Sequence, residues 1–311
     1  MTQISTKKRT SSPIYLDLED DGFHLSSSVD ILPRYKRKKI VFGWYGGKFS
    51  HLDWILPLLP ESHHYCEPFA GSAAVLLNRN PSPVETYNDI DGEVTHFFRV
   101  LRDQPDKLIR GISLTPFSRE EYYAAIYDND NTIDDVERAR RFYIRARQTR
   151  TGLAQTASLG RWANCKESSR NGMSGVVSRW LGGIDALNGI AQRLIRVQIE
   201  NRPATDIIGL YDAPNTLFYC DPPYYHETRG DSKAYGFEMD EKQHREFAKA
   251  VNCCSAKVAV SGYDHPLMKE LFPVSKWKKT MGNEKTIHST KGTRMEILWT
   301  NYNPKHQQEF F

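Results

Sequence analysis

Residues 65–91 read YCEPFAGSAAVLLNRNPSPVETYNDID. Tyr65-Cys66 is a short β-prone stretch that runs into Glu67-Pro68-Phe69-Ala70-Gly71-Ser72, a turn with a small-residue centre. Ala73 to Leu77 has the composition of a helix start, and Val84 to Tyr87 reads as a strand closed by Asn88-Asp89-Ile90-Asp91. Residues 92–102 then read as a helix. Strand, glycine turn, helix, strand and acid, in that order, open a doubly wound α/β domain. The turn lets backbone approach a ligand closely and sets a helix N-terminus toward negative charge. An acid at this distance beyond it suits ribose hydroxyls, or serves only as a helix cap.

Upstream, Lys39 to Trp44 is apolar and β-prone, and Trp44-Tyr45-Gly46-Gly47-Lys48 follows. Its glycines allow a tight bend, and the lysine can pair with a carboxylate. Residues 51–59 suggest a short helix interrupted at Pro57. Residues 1 to about 33 mix charges and serines without apolar periodicity, and Arg34 to Lys39 is a basic cluster, either a solvated linker or a phosphate-contacting strip. Downstream the rhythm breaks. Glu120–Ile126, Val136–Arg147 and 184–195 read as helices, and Thr149–Gly175 as loops or a hairpin. Strands return at Val197–Glu200, Leu217–Cys220, Lys257–Ser261 and Met295–Trp299, with helices at Glu241–Val251 and Pro266–Leu271. The expected architecture is α/β: a doubly wound, mostly parallel Rossmann-like sheet with a largely helical insertion. Residues 37–103 form its first part, 104–200 the insertion and 201–303 its second part, between tails at 1–36 and 304–311.

Asp221-Pro222-Pro223-Tyr224 ends the strand that begins at Leu217. Ligands of open α/β sheets bind at the carboxyl ends of strands. Two prolines fix φ and remove two N–H donors, so the backbone offers a rigid array of acceptors. A carboxylate beside a free carbonyl can accept both hydrogens of an amino group, and a nearby aromatic ring can stack on a planar base.

The 311 residues carry 42 Lys+Arg against 38 Asp+Glu, a net charge of +4, and 39% hydrophobic content excludes wholesale disorder. No apolar run reaches the ~18–20 residues of a membrane span. Met1 to Ser12 is polar and has no export-type apolar stretch, so the expected location is cytoplasmic. Five irregularly spaced cysteines argue against a disulfide scaffold, and without CxxC or HExxH no metal is expected. From Arg138 to Arg179 ten basic residues face one acid, Glu167, a local net charge of +9. At helical spacing Arg138, Arg141 and Arg145 share a face, while Ala139, Phe142 and Ala146 form the apolar one. A basic helix beside a Gly/Asn/Ser-rich loop suits nucleic-acid phosphates and base edges.

In combination these motifs resemble the Dam-type family of DNA adenine-N6 methyltransferases. The residues that carry the resemblance are Gly46-Gly47-Lys48, Glu67-Pro68-Phe69 with Gly71, Asp89, and Asp221 to Tyr224. Ser289 to Arg294, leading into Glu296-Ile297-Leu298-Trp299, is similar to the family's final loop and strand. The resemblance implies methyl transfer from S-adenosylmethionine to the N6 amino group of an adenine flipped out of double-stranded DNA, without a metal. It implies a catalytic array of Asp221, Pro222, Pro223 and Tyr224. It implies cofactor contacts from Trp44, Tyr45, Lys48, Phe69, Gly71, Asp89, Ile90 and Asp221, and DNA contacts from the insertion, for which Arg145, Arg147, Arg150, Arg161 and Arg170 are candidates.

Two departures stand out. Ala73 occupies the second glycine of the family's turn, which is tolerable at negative φ and strained at positive φ. Asn201-Arg202-Pro203-Ala204 stands where the family often has an acid. Methylation of cytosine N4 or of RNA adenine, and a catalytically weak DNA-binding relative, are the alternative readings. A nicotinamide-dependent oxidoreductase is disfavoured, because the turn lacks GxGxxG.

Overall fold

The computed structural model describes residues 38–127, 133–150, 152–170, 172–225, 237–286 and 293–304. The expected tails and most of the basic cluster lie outside them, as does 289–292. In chain order the elements begin with α1 (Leu52–Ile55), β1 (His64–Glu67), α2 (Ala74–Asn78), β2 (Val84–Asn88) and α3 (Gly92–Asp103). The insertion follows as α4 (Pro105–Ser113), α5 (Arg119–Tyr127), α6 (Asp135–Gln148), a small hairpin of β3 (Ser169–Arg170) and β4 (Met173–Ser174), α7 (Gly175–Asp185) and α8 (Leu187–Leu194). The second half comprises β5 (Gln198–Glu200), α9 (Ala204–Tyr211), β6 (Thr216–Cys220), α10 (Glu241–Cys253), β7 (Lys257–Gly262), α11 (Pro266–Leu271), β8 (Lys278–Thr286) and β9 (Thr293–Thr300).

Seven strands form one sheet in the order β5-β2-β1-β6-β7-β9-β8. The pairs β1–β2, β1–β6, β2–β5 and β6–β7 are parallel, and β9 runs antiparallel to both β7 and β8. This is the expected mostly parallel, doubly wound α/β sheet. Chain order runs outward from β1 on one side and resumes at β6 on the other, so the switch point lies between these two strands. There the ends of Glu67 and Cys220 set the two key turns side by side. All residues of β1 and β6 are buried, as strands covered on both faces require.

The insertion does not have a core of its own. Val94, Phe97, Phe98 and Leu101 of α3 bury one helical face, which meets Ala139, Phe142, Tyr143 and Ala146 of α6. Phe97 stacks on Tyr143 with centroids 5.6 Å apart, and Tyr143 meets Trp180 of α7 at 5.5 Å. Side-chain caps start both helices: Asp91 accepts from the Glu93 amide and Asp134 from the Glu137 amide. At the opposite end of the insertion, Arg193 of α8 pairs with Glu85 of β2 and also donates to the Leu76 carbonyl at 3.0 Å, all buried.

Three local expectations need correction. Lys39 to Trp44 is not a strand; Val41 and Phe42 are buried, and the Lys39 backbone bonds the Asn78 side chain through both its N–H and C=O. Residues 184–195 are not one helix, because α7 ends at Asp185 and α8 begins at Leu187. Ala73 has φ +56° and is fully buried, so it does adopt the left-handed conformation that its side chain resists, at roughly 1–2 kcal/mol. The sheet and the Ala70 carbonyl, which accepts the Ala73 amide at 2.7 Å, hold it there.

Candidate active site

The two turns at the switch point wall a cavity of about 390 Å³. Gly71, at φ +49°, is where a side chain cannot be placed: a Cβ would lie 2.4 Å from Nε1 of Trp44. This close approach seats the Trp44 indole against the turn. The Gly71 amide donates to Asp89 at 2.7 Å and the Gly71 carbonyl accepts from Tyr87, so β2 fixes the turn that β1 begins. Asp89 also accepts the Asp91 amide at 2.9 Å. Burial outweighs these two amides and moves the Asp89 carboxyl up to about 6.

Lys48 is the electrostatic centre. Its Nζ lies 2.7 Å from the Asp221 carboxylate, 3.6 Å from Glu296 and 2.6 Å from the Gly46 carbonyl, with 4% of the side chain exposed. Burial disfavours the ammonium, but Asp221 and Glu296 outweigh it and hold the lysine above its ordinary range. Burial pushes Asp221 and Glu296 upward, and Lys48 opposes this in both. The Tyr224 hydroxyl donates to Glu296, and Lys48 sits 4.8 Å above the Tyr224 ring. Tyr263 packs edge-on against that ring at 4.7 Å, leaving Tyr224 6% exposed.

Glu67 also faces the cavity. Burial raises its carboxyl to about 8 despite the Tyr65 hydroxyl, which donates to it at 2.6 Å, and the Arg79 guanidinium. Glu67 is thus largely protonated at neutral pH, and the acids that line the cavity around Lys48 besides it are Asp89, Asp91, Asp221, Glu238 and Glu246. Phe69, Phe247, Ile90 and Phe237 supply apolar surface suited to a flat heterocycle.

The D12 class of N6 adenine-specific DNA methyltransferases matches residues 44–286, which spans both turns, Lys48 and Asp221. The chain belongs to this class. A type II methyltransferase, M1.LlaDCHI from Lactococcus lactis subsp. cremoris, is 29% identical over 285 residues, covering 83% of this chain and 94% of that protein. A DNA adenine methylase from Salmonella typhi is 24% identical, covering 84% of this chain and 94% of that one. A DNA N-6-adenine-methyltransferase of Escherichia phage P1 is 24% identical over 78% of this chain, which spans only 32% of the phage protein.

In this methyltransferase, Trp44, Tyr45, Lys48, Phe69, Asp89, Ile90, Asp221 and Pro223 line the cavity together. Gly71 stands behind Trp44, and Pro222 and Tyr224 are buried outside the lining. Sequence reasoning named Glu296 only as part of the family's final strand and gave it no place in the site, although its signal was a lone acid inside the apolar strand segment 295–299. It also missed Tyr263, Phe237, Phe247 and Gln155, which belong to no motif and are gathered only by the fold.

The arginines of α6 are less available to a partner than their number suggests. Arg138 and Arg145 share Glu93, Arg140 binds Glu137 and Glu121, and Arg141 binds Glu137. Arg145 also donates to the Ala125 carbonyl, and Arg147 to the Arg179 carbonyl. Arg145 thus ties α6 to α3 and α5, and Arg147 ties it to α7; the acids that engage the helix come from outside the 138–179 window, so a local charge count could not see them. Arg150, Arg161 and Arg170 are exposed, the first two on adjoining strands of a loop and the third on the β3–β4 hairpin.

Proposed function

We propose that the cavity binds S-adenosylmethionine and that Asp221 engages the N6 amino group of an adenine extruded from double-stranded DNA. The observation that carries this reading is the Asp221 carboxylate in the cavity wall, fixed by Lys48 at 2.7 Å. When bound, the cofactor supplies an electrophilic methyl group on a cationic sulfur. The residues fit a cationic ligand: one ammonium faces two carboxylates at the centre, and further acids line the wall in a chain whose net charge is +4. The volume lies within the range of small-molecule sites, ~300–1,000 Å³. Asp89 is the ribose acceptor, Ile90 and Phe69 pack the adenine, and Trp44 and Tyr45 close the wall beside the methionine part.

The amino group of adenine is a weak nucleophile, because its lone pair is delocalised into the ring. Accepting its hydrogens on Asp221 and on the Pro222 carbonyl favours an electron-rich nitrogen, and the rigid Asp221-to-Tyr224 backbone fixes the approach. The raised proton affinity of Asp221 equips it to take the proton that the nitrogen sheds. Tyr224 is 6% exposed, with Tyr263 and Lys48 against its ring, so stacking a base on it requires a rearrangement there. The target nitrogen is out of reach of an in-line donor within a duplex, so the base leaves the stack at a cost of a few kcal/mol. Arg150, Arg161 and Arg170 contact the DNA from the insertion.

Equilibrium binding of labelled S-adenosylmethionine, then transfer of label to mixed-sequence duplex with digestion to nucleosides, tests the reading. Label in N6-methyladenine is expected; label in N4-methylcytosine, or no cofactor binding, overturns it.

A further inference from the structure

The segment that follows α6 is a loop tied across its base. Thr149 and Trp162 form an antiparallel bridge, the Arg150 amide donates to the Arg161 carbonyl at 2.7 Å, and the Ala163 amide donates to the Gln148 carbonyl at 2.8 Å. The loop is seated against the cavity wall, since a Cβ on Gly43, next to Trp44, would lie 2.7 Å from the Gly152 carbonyl oxygen. Beyond that contact a single 3-10 turn, Ala154–Thr156, brings Gln155 into the cavity lining beside Asp91.

The orientation of the Gln155 amide follows from its neighbour. Asp91 is the charged neighbour of its side chain in the lining, and a carboxylate only accepts, so the NH2 group is assigned toward Asp91. Oε1 is therefore turned the other way, and it is buried with no hydrogen-bond partner. Buried acceptors are nearly always satisfied, and one left alone in a ligand cavity marks the place of a donor. The neighbouring acids are already engaged: Asp89 accepts the Gly71 and Asp91 amides, and Asp91 accepts the Glu93 amide. A vicinal diol arriving beside Asp89 can place one hydroxyl on its remaining lone pairs and the other on Gln155.

We propose that Gln155 is a cofactor-binding residue supplied by the insertion, its Oε1 accepting a hydrogen bond from a ribose hydroxyl of S-adenosylmethionine. The assignment rests on the cofactor reading given above. Its consequence is linkage: the loop that holds the ribose also carries Arg150 and Arg161, so whatever factor the cofactor exerts on DNA affinity through this loop, DNA exerts on cofactor affinity.

Calorimetric binding of S-adenosylhomocysteine and of its 2′-deoxy and 3′-deoxy analogues to wild type, Gln155→Ala and Gln155→Met tests this. The methionine variant keeps the volume without the acceptor, and thermal midpoints check folding. Wild type is expected to bind one deoxy analogue about tenfold more weakly than the parent, and both variants to bind the parent about tenfold more weakly and to lose that discrimination. Variants that keep both the wild-type affinity and the wild-type discrimination overturn the assignment. Failure of wild type to bind the parent compound overturns the cofactor reading instead.

Discussion

Lys48 is a buried cation, and alone it would be expensive. Asp221 and Glu296 make it tolerable, and in turn it holds Asp221 in the cavity wall. The lysine and the aspartate are 173 positions apart, yet each could be read from its own motif, because a lysine after two glycines and an acid before two prolines have local chemical signatures. Glu296 shows only as a lone acid in an apolar strand and Gln155 shows no signal at all, and only the packed fold brings them to the site. Glu67 makes a pH prediction. Its carboxyl rises from 4.5 to about 8 in the folded protein, so the folded state retains a proton that the unfolded chain releases as pH passes 4.5. Stability therefore falls as pH rises from about 4.5 to 8. Glu67→Gln removes this term, and urea denaturation at pH 5 and pH 8 should show the variant gaining on wild type at the higher pH.

At the scale of elements, the strands of the parallel sheet were legible because they are short apolar runs bounded by turn chemistry. Leu217–Cys220 was read one residue short of β6, and Pro266–Leu271 coincides with α11. Lys39 to Trp44 misled because burial of Val41 and Phe42 gives the same composition as a strand, while Asn78 satisfies its backbone. The helices α4 and α9 and the strand β8 went unread, since tertiary packing rather than a local signal decides them. The Arg193–Glu85 pair joins α8 to β2 in a buried setting. Glu85→Leu strands the guanidinium and is expected to cost about 3–5 kcal/mol by chemical denaturation, and adding Arg193→Met should recover much of that loss.

For the whole molecule, charge is segregated: an acidic cavity at the switch point, and exposed arginines on the insertion loop and hairpin. If Arg150, Arg161 and Arg170 each neutralise a phosphate, replacing any one with Gln should reduce the slope of log K against log salt for duplex binding by about one. Arg145→Gln should instead lower stability, because it loses Glu93 and the Ala125 carbonyl. The shared core of α3 and α6 ties this surface to the helix that Asp91 caps beside the cavity. The most direct measurement is the single-turnover rate of methyl transfer to duplex DNA by Asp221→Ala, with DNA affinity measured alongside. A fall of at least about a hundredfold in rate, with DNA affinity largely kept, is predicted. A rate within about tenfold of wild type would contradict the role given to Asp221.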